Sequence, residues 1–478
     1  MDVNIQLNNY KYRYDIYHVF NIYNHLKKIN FSETEGDYII NVSDDKVSYL
    51  HKDRYVEANF NEDEKPKETI KRLIFRELKA LTGDEYPWGT LIGIRPSKIA
   101  LSYLREGKTE EEVSEIFYQK HYASKEKSQI CIEVARVEDK FVNKDPKTIS
   151  IYIGMAFCPT RCLYCSFASN PIQGNKKLVE PYLEALEYEI SEMKKYIEDR
   201  GLKIETLYFG GGTPTAIEDQ DFEELMNKIY NSFVQGKNLK EFTVECGRPD
   251  SMTYNKLKTM KNYEVTRISI NPQTMNNETL KLIGRNHTAE DVIEKFKMAR
   301  ELGFDDINMD IIIGLPGEGI EEAKITATEI KKLSPDSITV HGLALKRGSI
   351  MFDNFILKKG LGLKSQVEIM KMYEESKKLA GDLNLTPYYM YRQKNMVGNM
   401  ENLGYAKKGK ESIYNIQMIE DKQTIIAIGA DSVSKVVFLE EDRIERFGNV
   451  KDVREYIKRI KESVEGKKEL LDTLYKEE

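Results

Sequence analysis

Three cysteines lie within eight residues of one another in the stretch AFCPTRCLYCSF. Their spacing is Cys158-x3-Cys162-x2-Cys165, and the chain's other two cysteines are remote in sequence. A structural zinc site needs four ligands, usually as Cys-x2-Cys pairs, and a ferredoxin supplies four thiolates to each cluster. Three thiols without a fourth beside them favour a [4Fe–4S] cluster with one iron open to another ligand. Zinc binding and incidental buried thiols are the alternatives.

A glycine run follows a predicted strand in YFGGGTPT and contains Gly210, Gly211, Gly212 and Thr213. Glycines let backbone approach a ligand closely and leave N–H groups available to a carboxylate. The run lacks the G-x-G-x-x-G and G-x-x-x-x-G-K-[ST] patterns, so a nucleotide phosphate is not indicated. A tight turn is the alternative explanation.

Polar residues also recur where predicted strands end. Glu245 ends EFTVE, Gln273 follows VTRISINP, and Asp310 lies within the apolar run INMDIIIGLPG. A buried carboxylate without a partner costs several kcal/mol, which suggests a ligand hydroxyl or a cation near Asp310. A structural polar group with protein partners is the alternative for each residue.

The elements that must position these residues alternate between strand and helix over residues 147–375. Helical patterns of about 12 to 20 residues separate the strands. The strand candidates are ISIYIG from residue 149, IETLYFG from 204, EFTVEC from 241, VTRISI from 265, INMDIIIG from 307 and SITVHGL from 337. This rhythm predicts a parallel α/β sheet, as an open partial barrel or a doubly wound sheet. Both place a ligand site at the carboxyl ends of the strands, where the cysteine stretch begins.

Two further regions flank this predicted domain. Residues 1–143 are predicted to form an α+β accessory domain, with strands at DYIINV, KVSYLH and RYVEANF. An amphipathic helix follows, with apolar residues at helical spacing: Ile70, Leu73, Ile74, Leu78 and Leu81. Residues 376–478 are predicted to form a small C-terminal region that ends in a charged helix.

Composition narrows the class of protein. The chain has 478 residues, a formal net charge of -6 and no basic tract, so nucleic acid is not an expected partner. No apolar run approaches the roughly 20 residues that span a bilayer, and the first residues lack a signal-peptide core. We therefore expect a cytoplasmic protein, where its five cysteines stay reduced.

The cysteine spacing, with the aromatic Tyr164 before the last cysteine, resembles the signature of radical S-adenosylmethionine (SAM) enzymes. In that superfamily a [4Fe–4S] cluster binds the amino and carboxylate groups of SAM at its open iron. The reduced cluster cleaves SAM to methionine and a 5′-deoxyadenosyl radical. The resemblance implies that Cys158, Cys162 and Cys165 bind the metal and that Tyr164 lies near the adenine.

A closer resemblance rests on GGGTPT, VE, NPQT, MDIIIGLPG and LSPDSITVHGLALKRGS, which occur in this order. Together they are similar to the oxygen-independent coproporphyrinogen III oxidase (coproporphyrinogen dehydrogenase) family. WGTLIGIRPSKIALSYL, YYMYRQKNMVGNMENLGYA and GADSVSK resemble a Gram-positive branch of it. The family implies a (β/α)6 partial barrel and a role in anaerobic haem biosynthesis. It implies oxidative decarboxylation of coproporphyrinogen III to protoporphyrinogen IX, with an electron donor such as flavodoxin or ferredoxin.

The family also implies cofactor contacts at matching positions of this chain. One SAM lies on the cluster, and a second SAM has been placed beside it. The contacts to the cluster SAM correspond to Tyr152, Gly211 and Glu245. Those to the second SAM correspond to Gly212, Thr213, Gln273, Arg285, Asp310 and Ala344. Gly210, Phe167 and Ile312 are further predicted cofactor contacts, and no catalytic residue is expected beyond the cluster and SAM.

Two positions depart from the family pattern. The decarboxylating branch carries a further cysteine where this chain has Phe167, and a histidine where it has Gly154. Haem-binding chaperones of the same family also lack that cysteine. A haem-binding or haem-trafficking protein is therefore an alternative, as is a radical SAM tetrapyrrole methyltransferase or haem-degrading enzyme.

Two sets of residues are candidates for tetrapyrrole contacts. The axial-ligand candidates for a bound haem are His341, Met396 and Met400. The candidate partners of substrate carboxylates are Arg95, Lys346, Arg347, Arg392 and Lys394. Residues 391–393 with Asn395 are a candidate substrate lid, with simple packing as the alternative.

Overall fold

The computed structural model describes residues 2–24, 27–92, 95–167, 169–356, 362, 364–393 and 396–476. The chain forms two compact units. The first comprises Met1–Arg136, Lys364–Lys371 and Met390–Asn402. The second comprises Val137–Leu363, Met372–Tyr389 and Leu403–Glu478.

The first unit contains a five-stranded sheet of order β2-β1-β3-β4-β5. The strands are β1 Val3–Leu7, β2 Ile29–Ser32, β3 Tyr38–Val42, β4 Lys46–His51 and β5 Arg54–Asn59. β1 runs parallel to β2 and β3, and the three strands predicted from the sequence, β3, β4 and β5, pair antiparallel. The helices are α1 Arg13–Tyr23, α2 Pro66–Thr82, α3 Pro96–Arg105, α4 Glu110–His121 and α5 Lys125–Glu138.

Helix α2 packs on this sheet largely as its periodicity predicts. Ile70, Leu73, Ile74 and Leu78 are buried in the core that the sheet and α1 share. Leu81, which is also at helical spacing, is 47% exposed and lies outside this core. The buried core ends at Leu78, and the last turn of α2 extends beyond it.

An eleven-stranded sheet is the main structure of the second unit, with the order β14-β15-β13-β12-β11-β10-β9-β6-β16-β17-β18. The strands after residue 137, including the short pair β7 and β8, are β6 Thr148–Met155, β7 Phe157–Cys158, β8 Asn170–Pro171, β9 Lys203–Gly211, β10 Glu241–Glu245, β11 Arg267–Ser269, β12 Ile307–Ile313, β13 Ser337–Gly342, β14 Thr386–Tyr391, β15 Asn402–Ala406, β16 Thr424–Ile428, β17 Val433–Phe438 and β18 Arg443–Gly448.

Helices connect and cover these strands. They are α6 Ile172–Asn175, α7 Val179–Asp199, α8 Asp219–Ile229, α9 Tyr254–Asn262, α10 Asn277–Leu282, α11 Ala289–Glu301, α12 Ile320–Leu333, α13 Ile350–Ile356, α14 Gln366–Asp382, α15 Ile413–Glu420, α16 Val453–Lys458 and α17 Ile460–Tyr475. No helix in the described part of the chain is both long enough and apolar enough to cross a bilayer.

All six predicted strands of the central region are present, as β6 and β9 to β13. Each pairs in parallel with its predecessor, in one unbroken series from β6 to β13. A doubly wound sheet would reverse its strand order at a switch point, and this series does not. The series therefore corresponds to the open α/β partial barrel predicted from the sequence, and not to a doubly wound sheet.

The C-terminal residues extend the sheet beyond the predicted strands. β16 pairs in parallel with β6, and β17 and β18 continue antiparallel. A buried ion pair, Lys467 of α17 with Glu189 of α7, fixes the last helix against the barrel. Glu189 also accepts hydrogen bonds from the Gly429 N–H, Asn449 Nδ2 and the Tyr456 hydroxyl. Helix α17 therefore has a buried ion pair in addition to its charged surface residues.

Candidate functional site

The three cysteines of the motif lie on the loop that leaves the first barrel strand. Cys158 is in β7 and is 8% exposed, whereas Cys162 and Cys165 are half-buried; all three are free thiols. The N–H of Cys165 donates to the carbonyl of Cys162 at 3.2 Å, which closes a turn. Burial raises the pKa of Cys158 to about 12, and the other two thiols add to this rise. The three sulfurs therefore share one electrostatic environment at the carboxyl edge of the sheet.

The glycine run holds the first cysteine in place. Gly211 has φ +95°, and a Cβ at Gly212 would lie 2.5 Å from the carbonyl oxygen of Phe157. The N–H of Gly212 donates to Met155 O at 2.6 Å, and that of Thr213 donates to Phe157 O at 2.8 Å. The backbone of Gly212 and Thr213 therefore lies close to the backbone of Met155 and Phe157, which leads into Cys158. Their N–H groups are not left for a ligand, in contrast to the expectation from sequence.

A threonine and an arginine contact the sulfurs directly. Thr213 Oγ1 donates to Cys158 Sγ at 3.5 Å. Arg248 Nη1 lies 3.6 Å from Cys162 Sγ and donates to Thr160 Oγ1 at 2.9 Å. Sequence reasoning did not identify Arg248, because it follows a strand end in a stretch without any motif.

The segment after β13 packs on the far side of the cysteine loop. Arg161 Nη2 donates to Gly348 O at 2.6 Å, and Met351 N donates to Leu163 O at 2.9 Å. These contacts bring the segment that contains Lys346 against the loop.

Lys346 and Phe167 face each other beside the cysteines. Lys346 Nζ lies 5.9 Å from the ring centroid of Phe167, which is 62% exposed. Burial lowers the pKa of Lys346, and the nearby Cys165 opposes that shift. Among the described residues no carboxylate pairs with this ammonium. The loop therefore presents an apolar ring and a partly desolvated cation together.

Glu245 lies in an aromatic part of the barrel interior. It accepts a hydrogen bond from the Tyr208 hydroxyl, and Tyr208 forms a cluster of stacked rings with Tyr152 and Tyr414 at centroid distances of 6.2 and 4.4 Å. Glu245 Oε2 would lie 3.2 Å from a Cβ at Gly210. Burial raises the pKa of Glu245 to about 7; the Tyr208 hydrogen bond opposes the rise, and Asp310 adds to it.

Asp310 has hydrogen-bonding and charged partners within the protein, which agrees with the alternative explanation that it is a structural polar group. Asn308 Nδ2 donates to Asp310 Oδ1 at 2.7 Å, and His341 Nε2 lies 3.6 Å from Oδ2. Burial raises the pKa of Asp310, but His341, Asn308 and Thr339 outweigh it, so that the pKa is lowered overall. Asn308 also accepts from Ser337 and was not identified from sequence.

Arg285 contacts the aromatic residue of the cysteine motif. Arg285 Nη1 donates to the Tyr164 hydroxyl at 3.3 Å, and Nη2 donates to Gly247 O at 2.8 Å. Its Nε is buried without a hydrogen-bond partner in the described structure. The predicted contacts Tyr164 and Arg285 are thus together at the cysteine loop.

Gln273 adopts φ +66° and lines a cavity at the end of β12 with Ile312, Glu318 and Thr326. Its Oε1 is buried and lacks a partner among the residues described. Ala344 lies two residues beyond β13 and is half-buried.

The donor set has the composition that a cluster held by three thiolates requires. In the described ranges no three His, Cys, Asp or Glu side chains lie close enough to ligate a single metal ion. The ligands of one zinc ion, bound at about 2.3 Å, must be that close. A four-iron cluster does not require it, because each thiolate binds its own iron.

Several other candidates belong to the first unit. Arg392 stacks 4.7 Å from the Trp88 ring centroid and donates to the carbonyls of Leu91 and Asn399, so its guanidinium is engaged in packing. Met396 and Met400 are buried, and Met396 Sδ accepts from the Gln393 N–H at 3.2 Å. Lys394 and Asn395 lie outside the described residues.

Comparison with known proteins gives a family match and several similar relatives. The Radical SAM superfamily model matches residues 152–330. Oxygen-independent coproporphyrinogen-III oxidase-like protein HemZ of Bacillus subtilis (strain 168) is 41% identical over 414 residues, 86% of this chain and 82% of the relative. Heme chaperone HemW of the same organism is 31% identical over 275 residues, 57% of this chain and 68% of the relative.

Among solved structures, coproporphyrinogen III oxidase (HemN) from Escherichia coli, described as a radical SAM enzyme, superposes with a TM-score of 0.53. The match covers 69% of this chain and 73% of that chain at 21% sequence identity. At this identity the similarity concerns the fold.

Proposed function

The chain belongs to the oxygen-independent coproporphyrinogen III oxidase-like family of radical SAM proteins, and we propose that it decarboxylates two propionates of coproporphyrinogen III oxidatively to vinyl groups. The product is protoporphyrinogen IX. The observation that carries the proposal is the three-thiol loop at the carboxyl edge of the barrel, with the cation Lys346 beside it.

The cofactors of this superfamily are a [4Fe–4S] cluster and SAM. Cys158, Cys162 and Cys165 would hold three irons of the cluster, and Glu245 at the end of β10 would pair with the ammonium group of SAM. When bound, the cluster and SAM supply a carbon radical that takes a hydrogen atom from an unactivated C–H bond.

The protein's own residues bind and orient the tetrapyrrole. The propionate loses a hydrogen atom from its β-carbon, then CO2 and one electron, which leaves the vinyl group; the electron passes to a one-electron acceptor. Phe167 offers an exposed ring for contact with the macrocycle, and Lys346 offers an ammonium for a propionate.

A turnover assay without oxygen tests the proposal. Protein reconstituted with iron and sulfide receives coproporphyrinogen III, SAM and a one-electron reductant such as reduced flavodoxin. We expect protoporphyrinogen IX with two CO2 for each tetrapyrrole, and no CO2 from Cys162→Ala. SAM cleavage without CO2 would contradict decarboxylation, and methylated or linear products would indicate a different radical SAM reaction.

The second candidate function is haem binding or haem trafficking. Phe167 favours it, because the decarboxylating branch has a cysteine at that position, and so does the similarity to a haem chaperone. Tight haem binding without CO2 release would support this function. A strong rise of decarboxylation in Phe167→Cys would show that the native chain is specialised for another task.

A further inference from the structure

Arg248 is a buried cation that reaches the cysteine loop from behind. It lies between β10 and the short helix Pro249–Ser251 and is 3% exposed. Its Nη1 donates to Thr160 Oγ1 at 2.9 Å and lies 3.6 Å from Cys162 Sγ. A guanidinium N–H at this distance can hydrogen-bond a thiolate sulfur.

The other side of the same guanidinium binds a carboxylate. Nε donates to Asp250 Oδ1 at 3.0 Å and Nη2 donates to Asp250 Oδ2 at 2.7 Å. This bidentate pair fixes the plane of the guanidinium. The cation therefore faces the sulfur of Cys162, and the anion lies behind it.

Two further titratable groups near Arg248 are Arg285 and His287. Burial, together with the cations Arg285 and Arg248, lowers the pKa of His287 to about 3, although Asp250 opposes this shift. His287 is therefore neutral and adds no charge. Arg285 directs its Nη1 to the Tyr164 hydroxyl and its Nη2 to a backbone carbonyl.

We propose that Arg248 is a positioning residue that hydrogen-bonds the Cys162 thiolate of the bound cluster and raises the cluster's reduction potential, while Asp250 opposes it. Reduction adds one negative charge to the cluster. A nearby cation and an N–H···S hydrogen bond stabilise that charge, and a nearby anion destabilises it. The inference rests on the cluster and not on the decarboxylation of any substrate.

The test is a potentiometric titration, followed by electron paramagnetic resonance, of the reconstituted full-length protein without SAM. Arg248→Met should shift the midpoint potential to a more negative value, and Asp250→Asn should shift it to a more positive value. Arg248→Lys, which keeps the charge but loses the forked geometry, should fall between the wild type and Arg248→Met.

The matched control is Asp306→Asn. Asp306 pairs with the buried Arg267 at 2.7 Å, and Arg267 is the first residue of β11, at the opposite end of the strands from the cysteines. This variant removes a comparable carboxylate and should leave the potential unchanged.

Unchanged potentials in both the Arg248 and the Asp250 variants, or shifts of the same sign, would overturn the inference. General damage to the fold would not produce shifts of opposite sign. If Arg248→Met fails to retain iron, Asp250→Asn and Arg248→Lys still decide the question. Absence of decarboxylation together with the expected shifts would count against the proposed function and leave this inference intact.

Discussion

At the scale of single residues, Lys346 allows binding of the substrate to be tested separately from binding of the cofactor. We expect Lys346→Met to weaken binding of coproporphyrin III by about tenfold, because a charge-assisted hydrogen bond contributes roughly 1.5 kcal/mol. Binding of the uncharged tetramethyl ester should not change. Fluorescence titration of each porphyrin measures the two affinities. Lys332→Met at the end of α12, which changes an exposed cation that pairs with Glu329, is the control. Equal losses for the acid and the ester would contradict a carboxylate contact.

Glu245 gives SAM binding an expected pH dependence. Its pKa is raised to about 7, chiefly by burial, so its carboxyl group is mostly protonated and neutral below that pH. A neutral carboxyl cannot pair with the SAM ammonium. The dissociation constant of SAM should therefore fall as the pH rises from about 6 to about 8. Equilibrium dialysis measures it, and Glu245→Gln should flatten the profile. A profile that is equally steep in Glu245→Gln would place the titrating group elsewhere.

At the scale of elements, the strands of the barrel were predictable and their neighbours were not. Short β-branched runs such as ITV at Ile338–Val340 identify strands because burial on both faces requires them. The pairing of β16 with β6 joins segments some 270 residues apart and leaves no local pattern. Arg248 was missed because only the folded chain brings it to the cysteine loop. Asn308 lies two residues before Asp310 on the same strand and was missed because a single polar residue within a strand is not a motif.

The glycine run is the element on which the position of the first cysteine depends. A Cβ at Gly212 would lie 2.5 Å from Phe157 O. We expect Gly212→Ala to shift the strand that contains Cys158, to cost about 1–3 kcal/mol of stability, and to lower the iron retained per chain. Iron analysis and thermal unfolding measure these effects. Gly174→Ala, where a Cβ meets nothing within 4 Å, is the control. Full iron retention in Gly212→Ala would show that the run does not position the loop.

At the scale of the whole molecule, the C-terminal helix α17 belongs to the core of the barrel unit. Lys467 is 0% exposed, and its ammonium contacts Glu189 and the carbonyl of Ala427. Removing one partner leaves a buried charge uncompensated, so Lys467→Met should destabilise the protein by about 3–5 kcal/mol. Denaturant unfolding measures this. Arg459→Met, which breaks an exposed pair with Glu462, should cost less than about 1 kcal/mol. Equal costs for both variants would contradict a structural role for the buried pair.

The metal content of protein purified without oxygen is the measurement on which the proposed chemistry depends most directly. We expect about four irons and four sulfides per chain, and an electron paramagnetic resonance signal of the reduced cluster that changes when SAM is added. Cys162→Ala should lose both the iron and the signal. Zinc in place of iron, or a cluster that persists in Cys162→Ala, would contradict ligation by Cys158, Cys162 and Cys165.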